Sequence, residues 1–217
     1  MTRILLLSPA DADLLHGGLP DGLLDSDTRI VHRAVAYASC PPVGAHDWAL
    51  ADLAVLAAGQ RAQEEGFDAV CLADSGDYGA NALRSVVDIP VVAAGRSAML
   101  HALSLGARFT VLATERDRVR VKKLVHDYGF GGQCAGIRLA GGDGVPRDLA
   151  GQADVLVLAG ETRSARADLP GGAPAVDPVA LAVKLAESFV GLGLTHSRVA
   201  YPEPQTRKAA LIEAIAR

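Results

Sequence analysis

Apolar and polar positions change period repeatedly along this chain, and the changes mark out alternating strands and helices. Strand character covers residues 4–8, 29–37, 69–73, 90–94, 109–113, 135–139, 155–159 and 173–176. Between these runs, apolar residues recur at helical spacing. One helix is predicted over 47–65, with Leu50, Leu53, Ala54, Ala57 and Ala58 on one face and Gly66 closing it. Others are predicted over 95–105, 114–128, 178–190 and 206–216. Thr114 and Asp117 have capping-box spacing, Asp177 and Pro178 read as N-cap and first helical residue, and Gly129 and Gly191 stand at helix ends. Residues 14–27, rich in Gly and Asp, read as a long irregular connection or a poor helix. Strands alternating with helices predict a parallel sheet covered on both faces.

The pattern also repeats. FDAVCLADSGDYG (residues 67–79) runs from an apolar strand into a polar, glycine-containing turn at Asp74, Ser75, Gly76 and Asp77. ADVLVLAGET (153–162) echoes it: Asp68 matches Asp154, Leu72 matches Leu158, Ala73 matches Ala159, and Asp74 falls opposite Gly160. RILLLS (3–8) parallels RFTVLA (108–113), and IPVVAAG parallels APAVDPV. The expected architecture is α/β, with two pseudo-symmetric lobes, each a parallel sheet flanked by helices, and a cleft between them. Lobe 1 is expected to take residues 1–95 plus about 196–217, and lobe 2 residues 96–195. Open α/β sheets bind ligands beyond the carboxyl ends of their strands. The turn at residues 74–77 is therefore where chemistry is sought.

Composition narrows the class. Of 217 residues, 50% are hydrophobic and 21% charged, which describes a folded globular chain and not a disordered one. The net charge of −4, with no basic cluster, argues against nucleic acid as the main partner. The first apolar run stops after Leu7, too short for a signal peptide, and no run approaches the ~18 residues of a membrane span. A cytoplasmic protein with no membrane partner is expected; a homo-oligomer is left open. Cys40, Cys71 and Cys134 have no metal-ligand spacing and read as reduced structural thiols. No His/Asp/Glu cluster has metal-ligand spacing either, so no metal is expected.

In order and spacing, several segments together resemble the aspartate/glutamate racemase superfamily, most closely its hydantoin and allantoin racemase branch. They are ILLLSPA, the AHD at residues 45–47, EGFDAVCLADSGDYG, DIPVVAAGRSAMLHALSLGARFTVLAT, ADVLVLAG, DPVALAVKLAE and GLTHSR. The resemblance spans nearly the whole chain. It implies flavodoxin-like lobes, no cofactor, and a small-molecule substrate carrying a carbonyl or carboxylate group. It also implies two cysteines, one per lobe, that move a proton at the substrate's α-carbon. This chain departs from that pattern at both positions. Asp74 stands where the first cysteine is expected and Gly160 where the second is, while Cys71 and Cys134 fall elsewhere.

The candidate catalytic residues are accordingly Asp74, Glu161 and His46. Asp74 is a general acid or base, or else a turn-capping Asp. Glu161 brings a second carboxylate to the opposite lobe, or is a solvated loop residue. His46 is a proton shuttle or a capping histidine. Candidate substrate-binding residues are Ser75, Gly76, Thr114, Gly160, Thr162, Arg96 and His196. Arg96 opens a helix where an anion would meet a guanidinium and a helix N-terminus. The expected chemistry is isomerase-like proton transfer next to a carbonyl. Its alternatives are a lyase, decarboxylase, cyclase or tautomerase step, which needs one protonation instead of two opposed ones, or a non-catalytic ligand binder.

Overall fold

The computed structural model describes residues 1–9, 19–36, 42–140, 154–160, 162 and 172–216. Two four-stranded, all-parallel sheets form its centre. The first has the order β2-β1-β3-β4, from Thr2–Pro9 (β1), Thr28–Val35 (β2), Ala69–Leu72 (β3) and Val91–Ala93 (β4). The second repeats that order as β6-β5-β7-β8, from Phe109–Ala113 (β5), Cys134–Leu139 (β6), Val155–Leu158 (β7) and Ala175–Val176 (β8). β3, β4, β5 and β7 are buried at every position, as strands covered on both faces must be.

The same hydrogen bonds build both sheets. Asp68 accepts the backbone N–H of Arg3 at 2.7 Å, and its counterpart Asp154 accepts that of Arg108 at 2.9 Å. Val70 N–H donates to Pro90 O at 2.8 Å, and Leu156 N–H to Pro174 O at 2.9 Å. Just past the strand ends, Ala73 N–H donates to Leu7 O and Ala159 N–H to Leu112 O, both at 2.8 Å. These pairs put the two halves in register, and the residues that follow, Asp74 and Gly160, hold equivalent positions.

Six helices are described: Ala45–Gly59 (α1), Ala80–Val86 (α2), Ala94–Ala102 (α3), Glu115–Asp127 (α4), Pro178–Gly191 (α5) and Ala209–Ile215 (α6). α1 and α2 cover one face of the first sheet, where Leu5, Leu7, Val70, Leu72 and Leu83 form a core. α5 returns to the other face and packs on β1, β3 and β4 through Val179, Ala182, Val183 and Ala186. α3 bridges the halves: Ala94 packs in that α5 core, while Ala98, Met99 and Ala102 pack with Phe109, Val111 and Val157.

Several element ends differ from the sequence pattern. α1 stops at Gly59, and turns carry the chain to Gly66, which does adopt left-handed backbone (φ +78°). α5 runs through Gly191, and the left-handed residue past its end is Gly193 (φ +64°), with Leu194 N–H bonding to Phe189 O. The last helix starts at Ala209, three residues later than expected. α2 was not anticipated: it has seven residues, and its N-cap is Gly79, without a side-chain cap. Asp177 caps α5 as expected, its Oδ1 accepting from Val179 and Ala180 N–H. Cys40 lies outside the described residues.

Candidate active site

Beyond β3 the chain enters the turn of Asp74, Ser75, Gly76 and Asp77, and each residue has a separate task. Asp74 is half-buried, and its Oδ1 accepts Gly76 N–H at 2.7 Å, an Asx turn closing on its own backbone. Ser75 is 7% exposed, and its Oγ receives Gly160 N–H at 3.2 Å, which joins the two strand-end turns directly. Gly76 carbonyl accepts the Arg120 Nε–H at 2.8 Å from α4 of the second half. Arg120 lies 4.5 Å from the Tyr78 ring centroid and 5.3 Å from that of Trp48, so two aromatic faces fix the guanidinium.

Asp77 is 4% exposed and is the one non-glycine described residue with positive φ, 52°. Its Oδ1 accepts Gly95 N–H, and its Oδ2 accepts Arg96 N–H, each at 2.7 Å. Tyr128 Oη, from the end of α4, donates to the same Oδ2 at 2.8 Å. Asp77 is thus the cap of α3, supplied from seventeen residues upstream, because Ala93 at the N-cap has no side chain to do it. Burial pushes its carboxyl above the ordinary range, and the three donors pull against that. Burial likewise raises the Tyr128 phenol, with Asp77 adding to it. The fit leaves no slack: a Cβ on Gly95 would stand 2.4 Å from Ser75 O.

The opposite turn carries Gly160 at φ +57°. A Cβ there would lie 2.5 Å from Asp117 Oδ2, so a helix carboxylate fills the space a side chain at 160 would need. Asp117 Oδ2 also accepts the Thr114 hydroxyl at 2.8 Å. Burial raises the Tyr78 phenol most; the Asp74, Asp117 and Asp52 charges add to the rise and Arg120 opposes it.

The expected residues are therefore only partly gathered. Asp74, Ser75, Gly76, Gly160 and, through Asp117, Thr114 meet between the halves. Thr162 is 3% exposed, and its hydroxyl donates to the Leu112 and Ala159 carbonyls, so it ties the turn to β5. Arg96 donates to Tyr201 Oη at 3.1 Å, stacks on Tyr128, and lines a crevice of about 480 Å³ with Asp77, Arg120, Asp52 and Asn81. His196 packs edge-on against Tyr201, and burial, with Arg198 and Arg84 nearby, lowers its pKa. His46 has an 85% exposed side chain and its contact is with Asp47. Glu161 lies outside the described residues. Sequence reading missed Asp117 and Arg120 as neighbours of the turn. Their spacing of three puts them on one helix face, but nothing local in the sequence ties that face to the turn.

Among the described residues no group of three His, Cys, Asp or Glu side chains is placed to hold a metal ion. None of the described helices is long and apolar enough to cross a membrane. Residues 26–168 match the model of the Asp/Glu/hydantoin racemase family. The chain belongs to that family. A hydantoin racemase of Pseudomonas sp. (strain NS671) is 31% identical over 211 residues, covering 86% of this chain and 85% of the relative. The allantoin racemase from Klebsiella pneumoniae shares the fold at a TM-score of 0.76 and 24% identity, with 95% of each chain covered. A mutant of arylmalonate decarboxylase in a sulfate-associated form shares it at 0.59 and 20% identity, over 89% of this chain and 95% of the other. The chain is an enzyme of the racemase scaffold, on its hydantoin racemase branch.

Proposed function

We propose that this enzyme moves a proton at a carbon next to a carbonyl without a cofactor, and that Asp74 is an acid/base group of the reaction. The observation that carries the reading is the equivalence of Asp74 and Gly160. Each follows the alanine that bonds back to the neighbouring strand, at the strand ends where this fold binds ligands. The names of the relatives point to a cyclic ureide of the hydantoin type as substrate. A carboxylate is a weaker base than a thiolate, which suits a carbon whose anion is delocalised into an adjacent carbonyl. Ser75 and Gly76 belong to the substrate-facing turn in this reading. Thr162, with its hydroxyl committed to backbone carbonyls, does not.

Asp74→Asn tests it. Asn keeps the acceptor that closes the Asx turn on Gly76, so the fold is retained while proton transfer is lost. Exchange of the C5 hydrogen in D₂O, followed by ¹H NMR with each enantiomer of 5-benzylhydantoin separately, is expected to fall ~10²–10⁴-fold for the enantiomer whose proton Asp74 removes. Unchanged exchange by the variant rules Asp74 out as the acid/base. A second reading follows from Gly160, which brings no acid/base side chain to the other strand end: a decarboxylation or other lyase step, a cyclisation or a tautomerisation, each needing one protonation. Release of CO₂ from phenylmalonate, with no exchange of 5-benzylhydantoin, would decide for it.

A further inference from the structure

The carboxylate against Gly160 has no place in the reading above, and it bears directly on the choice between one proton and two. We propose that Asp117 is the second acid/base group of the site, supplied by α4 to the position that Gly160 leaves without a side chain. This rests on Asp74 being the first.

Three observations carry it. The backbone bonds of Ala73 and Ala159 make Asp74 and Gly160 equivalent, so a group opposite Asp74 belongs at 160. Asp117 Oδ2 lies 2.5 Å from where a Cβ on Gly160 would be, so the carboxylate stands in the place of that missing side chain. Gly160 N–H bonds Ser75 Oγ at 3.2 Å, so this place adjoins the turn that carries Asp74. The Thr114 hydroxyl, donating to Asp117 Oδ2, orients the carboxylate. Thr114 is thus a positioning residue and not a substrate ligand.

The step balances without a co-reactant. Ionised Asp74 takes the proton from the carbon, and the C–H electron pair moves into the carbonyl as an enolate. Protonated Asp117 then delivers its proton to the opposite face, ending ionised while Asp74 ends protonated. The reverse sequence serves the other enantiomer. Two opposed carboxylates therefore favour racemisation or epimerisation over a one-proton reaction.

The test compares Asp117→Asn and Asp74→Asn in the full chain. D- and L-5-benzylhydantoin are offered separately in D₂O, and C5–H exchange is followed by ¹H NMR. The wild type is expected to exchange both enantiomers. Each variant is expected to lose exchange of one enantiomer by ~10²-fold or more, and the two variants to lose opposite ones. Equal loss from both enantiomers in Asp117→Asn, or none, overturns the assignment. A ¹³C NMR titration of labelled Asp carboxyls gives a readout independent of substrate. Arg120 and Asp52 act on the same Tyr78 ring as the pair does, and the phenol itself, raised by burial, is neutral. Removing the Asp117 charge is expected to lower the Asp74 midpoint by about half a pH unit or more. An unshifted midpoint in an enzyme that exchanges 5-benzylhydantoin overturns Asp117 alone. A shifted midpoint in an enzyme that exchanges neither enantiomer overturns the proton-transfer reading on which both assignments depend.

Discussion

Asp77→Ala should be among the most destabilising substitutions near the site, and its cost can be worked from three bonds. The side chain is 4% exposed and accepts Gly95 N–H, Arg96 N–H and Tyr128 O–H. Alanine leaves all three without their acceptor, and each buried unpaired donor costs about 1–3 kcal/mol. Relief of the buried charge offsets part of this, since burial already disfavours the carboxylate. The net loss is about 3–5 kcal/mol, the range for removing one partner from a buried set. For a chain of this length that lowers the thermal midpoint by roughly 6–20 °C. Asp77→Asn keeps one oxygen, enough for Arg96 and Tyr128 but not Gly95, and should cost about 1–3 kcal/mol. Because the Asp77 carboxyl is raised, its contribution is full below the unfolded value and declines as pH climbs through the folded one. The Asn deficit should therefore narrow with rising pH. Urea unfolding followed by circular dichroism, with Tyr128→Phe as the second edge of a double-mutant cycle, measures these terms. Asp77→Ala within about 1 kcal/mol of wild type, or additivity with Tyr128→Phe, would refute the argument.

Three further outcomes follow from the same geometry. Gly95→Ala puts a methyl 2.4 Å from Ser75 O, a backbone atom, so the turn must move; a stability loss of about 1–3 kcal/mol by urea unfolding is expected. Cys71 is fully buried in β3, and burial pushes its thiol far above the ordinary value. Alkylation mapped by mass spectrometry should label it only on global unfolding, and labelling of the native protein would contradict its place in the core. Glu187, in α5, feels burial most, yet the Lys184 ammonium and the Asp25 N–H outweigh it and hold its carboxyl below the ordinary range. Its contribution is present above the unfolded value and lost as pH falls, so Glu187→Gln should flatten the acid limb of stability between about pH 5 and pH 3.

The fold was largely legible because buried parallel strands leave continuous apolar runs, and eight of these run close to the observed strands. The lobe repeat was legible for the same reason: Asp68 and Asp154 do the same work on the same neighbouring strand. α2 was not, since seven residues with a glycine N-cap carry too few apolar positions to show a period. Of the site, the turn after β3 could be read from its composition. Asp77 as the cap of α3 could not, because that bond crosses from one element to another. Arg120 and Asp117 look like ordinary residues of a polar helix face. Only the packing of α4 across the two strand ends brings them to Gly76 and Gly160.

That packing also predicts how the second strand end responds to a restored thiol. Gly160→Cys supplies the residue type expected there from the family resemblance, yet two features of this chain oppose it. The backbone at 160 has φ +57°, where a side chain costs about 1–2 kcal/mol. The new Cβ would also meet Asp117 Oδ2 at 2.5 Å, inside any tolerable contact. A flexible carboxylate can swing aside, but only by giving up the Thr114 hydroxyl bond, worth about 1 kcal/mol. Gly160→Cys should therefore lose about 2–4 kcal/mol in urea unfolding. Gly160→Cys with Asp117→Ala should recover the steric part and keep the backbone part. A single variant as stable as wild type would mean that Asp117 does not occupy the space at 160. The two changes are thus coupled: a glycine at the strand end and a carboxylate on the helix each suit the presence of the other.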